Sequence, residues 1–137
     1  MSNFIKLYSE EKPQRLLIKL PFFLYIQTET DIANIFIQIF DCLCYMHQEG
    51  ICHRDLNPNN IMIADNFQIK IIDFSVSKWF KINEASTAMW TPTGTPAYKA
   101  PEIYQGGAYQ EPVDMWAAGV ILYECLSGKK PFIITKQ

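Results

Sequence analysis

The sequence carries little excess charge and has no long hydrophobic run. Its 137 residues have a formal net charge of -2, which leaves no basic footprint for nucleic acid or an anionic membrane. The most apolar run, from Leu16 to Ile26, is interrupted by Lys19 and Pro21 and is well short of the ~20 residues that span a bilayer. The N-terminus also lacks the charged-then-apolar pattern of a signal peptide. We therefore expect a soluble, cytoplasmic protein that binds neither nucleic acid nor membrane.

Cysteine is scarce as well, with four residues and no CxxC pair. Without a secretory signal, reduced and mostly buried thiols are the ordinary outcome. An alternative is a metal cluster formed by the side chains that crowd one stretch of the chain: Cys42, Cys44, His47, Cys52 and His53. If residues 42–47 are helical, Cys42 and Cys44 point to different faces, whereas a zinc site prefers a turn between its paired ligands. This spacing favours free thiols over a metal site.

Two segments carry strong helix signals. Residues 28–50 begin with a T-x-x-D capping signal at Thr28 and end at Gly50, and their apolar residues recur at the spacing of one buried stripe. Residues 112–128 have Pro near the start, Gly at the end and almost only apolar residues between them. A helix that is apolar on all sides is typical of the centre of a larger domain.

Between these helices the sequence predicts a small hairpin and a long loop. The β-rich runs 61–63 and 68–73 flank a polar turn at Asp65 and Asn66, which is the pattern of two antiparallel strands. The stretch 74–100 is rich in Ser, Thr and Pro and has no sustained periodicity. A loop of that length inside a compact domain is more often functional than idle.

Three polar residues around the hairpin form a plausible chemical site. Asp55 lies in a tight loop before the hairpin, where a carboxylate can accept the proton of a hydroxyl group. Asn60 offers a neutral oxygen and Asp73 a charged one, and both suit a hard cation such as Mg²⁺ that bridges phosphate oxygens. Each residue alone is an ordinary turn residue, but the combination favours phosphoryl transfer.

Four motifs give the sequence a family resemblance. HRDLNPNN (53–60) resembles the catalytic loop of eukaryotic protein kinases, DFS (73–75) their magnesium-binding DFG motif and APE (100–102) the end of their activation segment. DMWAAG (114–119) resembles the start of the buried helix whose Asp braces the catalytic loop. Four motifs in order, at matching spacing, are far more specific than any one of them.

The resemblance implies an α+β, protein kinase-like fold. We expect a mostly α-helical C-terminal lobe with a small β-hairpin at the catalytic loop, and an N-terminal lobe that is largely absent. Residues 1–137 would then be a partial kinase domain. Within it, 1–27 would be the end of the N-terminal lobe and the hinge, and 28–132 the C-terminal lobe through its central buried helix.

The resemblance also implies roles for residues around the catalytic loop. Asp55 would be the catalytic base that receives the proton of the substrate hydroxyl. Asn60 and Asp73 would hold Mg²⁺ against the phosphates of ATP. Met62 would form the floor under the adenine ring, although an ordinary core position in the hairpin is equally compatible with it.

Regulatory roles are implied in the same way. Arg54 precedes the catalytic Asp, which is the pattern of kinases that are activated by phosphorylation of the activation loop, because its guanidinium can pair with a phosphate. Thr91 is the first candidate for that phosphate, with Thr93 and Thr87 as alternatives. Thr95 matches the threonine that contacts the catalytic Asp in serine/threonine kinases.

Two positions depart from the family pattern. Asn57 replaces the lysine that neutralises the γ-phosphate, so the site keeps a hydrogen-bond donor there but loses a charge. A loss of transition-state stabilisation of this kind typically costs on the order of 3 kcal/mol, roughly a hundredfold in rate, so we expect a slow enzyme rather than an inactive one. Ser75 replaces the glycine of DFG, and its Cβ disfavours some of the backbone conformations that glycine permits.

The sequence therefore predicts a serine/threonine protein kinase that transfers the γ-phosphate of ATP to hydroxyl groups of a protein substrate. The chain itself would be a truncated kinase domain, which we expect to be inactive when assayed alone. Glu124 matches a position that receives a basic substrate residue in some kinases, and an upstream kinase is an expected partner. The alternative is a non-catalytic, pseudokinase-like binding module, which Asn57 favours.

Overall fold

The computed structural model of the chain describes residues 26, 28–64, 67–80 and 89–132. Along these residues one helix is followed by four short strands and two further helices, in the order α1, β1, β2, β3, β4, α2, α3. Their bounds are Glu29–Gln48 (α1), Ile51–Cys52 (β1), Ile61–Ile63 (β2), Ile69–Ile71 (β3), Lys78–Trp79 (β4), Pro101–Tyr104 (α2) and Pro112–Ser127 (α3). Single 3₁₀ turns at Pro58–Asn60 and Pro96–Tyr98 precede β2 and α2.

Helix α1 matches its sequence prediction closely. Thr28 is the N-cap and forms a capping box with Asp31, in which each side chain accepts a hydrogen bond from the backbone N–H of the other residue. The helix ends before Gly50, which takes a left-handed conformation with φ of 74°. Its six buried residues are those of the predicted apolar stripe: Ile32, Ile35, Phe36, Ile39, Leu43 and Met46.

The predicted hairpin is present as β2 and β3. They pair antiparallel with Met62 opposite Lys70, and β3 is shorter than the predicted run 68–73. Gln38 of α1 extends the hydrogen bonding of this hairpin, since its Oε1 accepts from the Ile69 N–H at 3.2 Å and its Nε2 donates to the Phe67 carbonyl at 2.9 Å. The hairpin is thereby attached to α1. The turn predicted at 65–66 lies outside the described residues.

A second two-stranded sheet was not predicted. Strand β1 pairs antiparallel with β4, inside the stretch 74–100 that the sequence suggested would be a loop. Gly50 permits this pairing, because a Cβ there would lie 2.5 Å from the carbonyl oxygen of Phe80. Two-residue strands carry no periodicity, so their pairing depends on tertiary contacts that sequence patterns do not reveal.

Helix α3 has two different faces. One face packs with α1 and the hairpin in the main hydrophobic cluster, where Ala118 and Ile121 are fully buried. The other face leaves Met115, Tyr123 and Leu126 exposed in the described part of the chain, so the expected burial on all sides is not seen there. Gly128 ends the helix in a left-handed conformation. Among the described helices, none is long and apolar enough to cross a membrane.

The predicted division of the chain at residue 27 concerns mostly residues outside the described ranges. Of residues 1–27, only Ile26 is described, and it packs against the main hydrophobic cluster. The assignment of 1–27 to the end of an N-terminal lobe therefore stays a prediction.

Candidate active site

A buried carboxylate, that of Asp114, binds the backbone of the loop that follows β1. Asp114, near the start of α3, is 1% exposed. Its Oδ2 accepts from the backbone N–H of His53 at 2.8 Å, and its Oδ1 accepts from the N–H of Arg54 at 2.8 Å. His47 Nε2 of α1 lies 2.9 Å from Oδ2. One side chain thus connects the loop to both long helices.

These contacts determine the electrostatics of Asp114. Burial raises the pKa of its carboxyl group, but the hydrogen bonds from His47, His53 and Arg54 together outweigh burial, so that the pKa lies below its ordinary value. Asp114 is therefore a charged group in the interior, compensated by donors on every side. Arg54 itself has a positive φ of 69°, which turns the chain directly after the two N–H groups that Asp114 binds.

The next residue of this loop, Asp55, is half-buried. The Thr95 N–H donates to Asp55 Oδ1 at 2.6 Å, and the Thr95 hydroxyl donates to the same oxygen at 2.7 Å. Asn60 Nδ2 lies 3.3 Å from the other oxygen, Oδ2, and 2.8 Å from the Asp55 carbonyl. Oδ1 is therefore occupied by donors from the chain, and Oδ2 is the oxygen better placed to accept a proton from another molecule.

Asn57 lies beside this carboxylate and is 3% exposed. Its Nδ2 donates to Asp55 Oδ1 at 3.2 Å, to the Asp55 carbonyl at 3.0 Å and to Thr95 Oγ1 at 3.1 Å. Its Oδ1 accepts from the backbone N–H of Asn59 at 3.0 Å and so caps the 3₁₀ turn that begins at Pro58. Sequence reasoning placed Asn57 near the reacting groups but did not foresee that its amide is used within the chain.

Gly94 explains how the segment 89–100 can approach the loop so closely. Its φ is 98°, and a Cβ at this position would lie 2.5 Å from the carbonyl oxygen of Arg54. Backbone atoms cannot yield to such an overlap as a flexible side chain can. Only glycine therefore allows Thr95 to reach Asp55 from this direction.

The predicted magnesium ligands flank the hairpin. Asn60 directly precedes β2 and Asp73 follows β3, and these two ends of the strands pair with each other. The Ile72 N–H donates to the Asn60 carbonyl at 2.9 Å, which brings Asp73 next to the loop that carries Asn60. Asp73 is exposed, has a positive φ of 63° and accepts from the Ser75 N–H at 3.2 Å. One amide oxygen and one carboxylate are hard oxygen ligands, which fit a Mg²⁺ ion that keeps several non-protein ligands.

Met62 and His53 flank this region. Met62 is half-buried in the centre of β2, between two buried isoleucines, so it faces the opposite side of the hairpin from them. The His53 ring meets the Phe74 ring edge-on with centroids 5.0 Å apart, and its Nε2 lies 3.0 Å from the Ile72 carbonyl. The position of Met62 is compatible with its predicted place under adenine. The contact of His53 with Phe74 fixes the residue next to Asp73 and is compatible with the predicted role of Asp73. Both roles stay predictions.

Arg54 is joined to the predicted regulatory threonine by a tyrosine that sequence reasoning missed. The guanidinium donates to the Val76 carbonyl at 2.6 Å through Nε and to the Tyr109 hydroxyl at 3.1 Å through Nη1. The Tyr109 hydroxyl in turn donates to the Thr91 carbonyl at 2.5 Å. Thr91 is exposed. Thr87 lies outside the described residues.

Glu124 is engaged within the chain. Its Oε2 accepts a hydrogen bond from the Tyr98 hydroxyl at 2.7 Å. Burial raises the pKa of Tyr98, and the hydrogen bond to Glu124 raises it further. Lys130 Nζ lies 5.1 Å from the centre of the Tyr98 ring, so a cation of the chain already approaches this pair.

The alternative of a cysteine and histidine metal cluster receives no support from the geometry. In the ranges that the structure describes, no three His, Cys, Asp or Glu side chains are grouped so as to hold a metal ion. His47 contacts Asp114, and Cys44 lies exposed on α1 while Cys52 is fully buried.

Comparison with known proteins gives these contacts a family context. Residues 12–137 match the protein kinase domain family. The chain therefore belongs to that family, and its α+β fold of helices with two small antiparallel sheets is a protein kinase-like fold. The resemblance inferred from the four motifs is thus confirmed.

Individual relatives are themselves described as protein kinases. A probable myosin light chain kinase of Dictyostelium discoideum is 42% identical over 113 residues, which cover 80% of this chain and 32% of the relative. Calcium/calmodulin-dependent protein kinase type IV of Homo sapiens is 44% identical over 108 residues, 77% of this chain and 22% of the relative. A serine/threonine-protein kinase of Arabidopsis thaliana is 37% identical over 107 residues, with the same 77% and 22% coverage. The chain thus spans between about a fifth and a third of the length of these relatives.

Proposed function

We propose that the protein is a serine/threonine protein kinase that transfers the γ-phosphate of ATP to hydroxyl groups of a protein substrate. The observation that carries this proposal is the pair of short hydrogen bonds from Thr95 to Asp55 Oδ1. They orient a half-buried carboxylate and leave Oδ2 with one long contact, from Asn60 Nδ2 at 3.3 Å, among the described residues. The names of the relatives, which are serine/threonine kinases where they specify the residue type, support the same class.

In this proposal Asp55 acts as the base. A substrate hydroxyl that approached Oδ2 would give its proton to that oxygen as its own oxygen bonds to the γ-phosphorus of ATP. The bond from that phosphorus to the β–γ bridging oxygen would break, and ADP would leave. Thr95 and Asn60 hold the carboxylate in place during this step, because both donate to it. A well-oriented base removes the cost of searching for the reactive geometry.

Asn60 and Asp73 would hold Mg²⁺, and Met62 would lie under the adenine of ATP. When bound, Mg²⁺ neutralises the charge of the phosphate oxygens. Asn60 Nδ2 is used by Asp55, so the amide oxygen is the atom that Asn60 offers to a cation. The carboxylate of Asp73 supplies the negative charge that this neutral ligand lacks.

Arg54 and Thr91 would form the regulatory part of the site. The Tyr109 hydroxyl joins the Thr91 carbonyl to the Arg54 guanidinium. A phosphate on the exposed Thr91 would therefore add negative charge to a residue that is already linked to Arg54. Glu124 would receive a basic substrate residue only in competition with Lys130, because that cation already lies over Tyr98. A preference for basic substrates is therefore expected to be weak.

The proposal is tested by incubating a form of the protein that carries a complete kinase domain with Mg²⁺, ATP and peptides that differ only in carrying Ser, Thr or Tyr. We expect phosphate on Ser and Thr and none on Tyr. Phosphate on Tyr alone would contradict the proposed substrate class.

A second candidate function is a pseudokinase-like binding module without catalysis, which the uncharged Asn57 favours. Thermal unfolding with and without millimolar Mg²⁺ and ATP separates the two candidates. A kinase should melt at a higher temperature with both present, and Asp73→Asn should reduce that shift. Neither a shift nor phosphate transfer would favour the binding module.

A further inference from the structure

The Asn57 side chain is buried, and its polar atoms already have partners within the chain. It is 3% exposed, although Asn59, two residues further on, is exposed. Both atoms of its amide group are hydrogen-bonded within the chain, the oxygen to the Asn59 N–H and the nitrogen to Asp55 and Thr95. A group that served mainly to meet a phosphate would need an open donor.

The nitrogen closes a three-membered ring of hydrogen bonds. Asn57 Nδ2 lies 3.1 Å from Thr95 Oγ1 and 3.2 Å from Asp55 Oδ1, and Thr95 Oγ1 lies 2.7 Å from Asp55 Oδ1. Thr95 is far from the other two residues in sequence. The ring therefore attaches the segment that carries Thr95 to the loop that carries Asp55.

We propose that Asn57 is a positioning residue, whose amide clamps Thr95 against Asp55 while it caps the following 3₁₀ turn, and that it is not a phosphate contact. The catalytic consequence of this proposal rests on the proposed kinase function, whereas the clamp itself does not. The two roles need one donor and one acceptor on the same short side chain, which asparagine provides. The substitution of lysine by asparagine then removes a charge but keeps the loop and the Thr95 segment joined.

Two substitutions separate the clamp from the cap. Asn57→Asp keeps an oxygen that can accept from the Asn59 N–H, and aspartate is as good an N-cap as asparagine. It lacks the donor that holds Thr95 and places a second carboxylate beside Asp55. Asn57→Ala removes both roles. Asn34→Asp, on the exposed surface of α1, is the matched control for the change of charge.

The readout is the hydrogen-exchange rate of the Thr95 amide, measured by NMR in the full chain labelled with ¹⁵N-threonine. This N–H donates to Asp55 Oδ1 at 2.6 Å, so it reports directly on the clamped contact. We expect exchange to become at least about fivefold faster in Asn57→Asp and Asn57→Ala, the factor that corresponds to the loss of one hydrogen bond. Asn34→Asp should leave the rate unchanged.

Unchanged exchange in Asn57→Asp would overturn the proposal, because the residue would then act only as a cap. Asn57→Ala should also lower the melting temperature more than Asn57→Asp, since it alone removes the cap. If Asn57→Ala does not fold, Asn57→Asp decides the question alone.

Kinetics add the catalytic consequence. In an active protein, Asn57→Asp should lower kcat about tenfold and leave the KM for peptide nearly unchanged, because the clamp orients the base and does not bind the peptide. A loss confined to KM would contradict a positioning role. If a form of the protein with a complete kinase domain transfers no phosphate but the Thr95 amide responds as expected, the proposed function fails and the clamp stands.

Discussion

Two carboxylates lie at the same loop, and their surroundings differ. Asp114, near the start of α3, is buried and receives its hydrogen bonds mainly from backbone N–H groups of the loop. Asp55, a residue of the loop, is half-buried and receives its bonds from Thr95, Asn57 and Asn60, through side chains and one backbone N–H. Asp114 receives several donors, whereas Oδ2 of Asp55 has a single long contact within the part of the chain that the structure describes.

This difference indicates a division of work. A buried carboxylate with all its donors in place stabilises one backbone shape, and the loss of either partner is costly. A carboxylate at the edge of the fold with one available oxygen can exchange a proton with another molecule. We therefore expect changes at Asp114 to affect unfolding and changes at Asp55 to affect chemistry.

The largest expected effect on stability is that of Asp114→Ala. It leaves the N–H groups of His53 and Arg54 without their acceptor in the interior, and we expect the free energy of unfolding to fall by about 3–5 kcal/mol. Urea denaturation of the full chain measures this loss. Asp41→Ala on the exposed surface of α1 is the control, with an expected change within about 0.5 kcal/mol. Equal effects of the two substitutions would mean that Asp114 does not anchor the loop.

A smaller effect is expected from Gly94→Ala. This substitution tests whether the contact of Thr95 with Asp55 depends on the close approach of the Gly94 backbone to the Arg54 carbonyl. The positive φ and the overlap with the Arg54 carbonyl should cost about 1–3 kcal/mol. Gly107→Ala is the matched control, because a Cβ there meets nothing within 4 Å. A Gly94→Ala protein with wild-type stability and wild-type exchange at the Thr95 amide would contradict the described approach.

The smallest effect concerns pH. Because the pKa of Asp114 in the folded chain lies below its ordinary value of 3.8, its contribution to stability is present above that value. The contribution is lost as the pH falls below 3.8 toward the folded-state pKa. Melting temperatures between neutral pH and about pH 2.5 measure this loss. The acid decrease should be shallower in Asp114→Asn, which has no proton to gain, and an identical decrease in both proteins would assign it to other groups.

The sequence was sufficient to predict the elements that carry a local signal. The capping box at Thr28, the apolar stripe of α1, the hairpin of β2 and β3, and the glycine that ends α3 all follow from short-range rules. The motifs also pointed to Asp55, Asn60 and Asp73 as site residues, because their types and spacing are chemically restrictive; their roles stay predictions. The structure brings Asp55 and Asn60 into contact.

Features that depend on tertiary contacts could not be predicted in this way. The pairing of β1 with β4, the link from Arg54 through Tyr109 to Thr91, and the use of both Asn57 amide atoms join residues that are distant in sequence or that have no distinctive pattern. The positive φ of Gly94 could have been suspected from the glycine alone, but not the Arg54 carbonyl that faces it.

The most direct test of the division between the two carboxylates is Asp55→Asn, assayed for phosphate transfer and thermal unfolding in a form of the protein with a complete kinase domain. Asparagine can still accept the bonds from Thr95, but it cannot take up a proton as a base. We predict a fall in kcat of roughly 10²–10⁴-fold with a melting temperature close to that of the wild type. A variant that keeps its kcat, or one that unfolds as readily as Asp114→Ala, would contradict it.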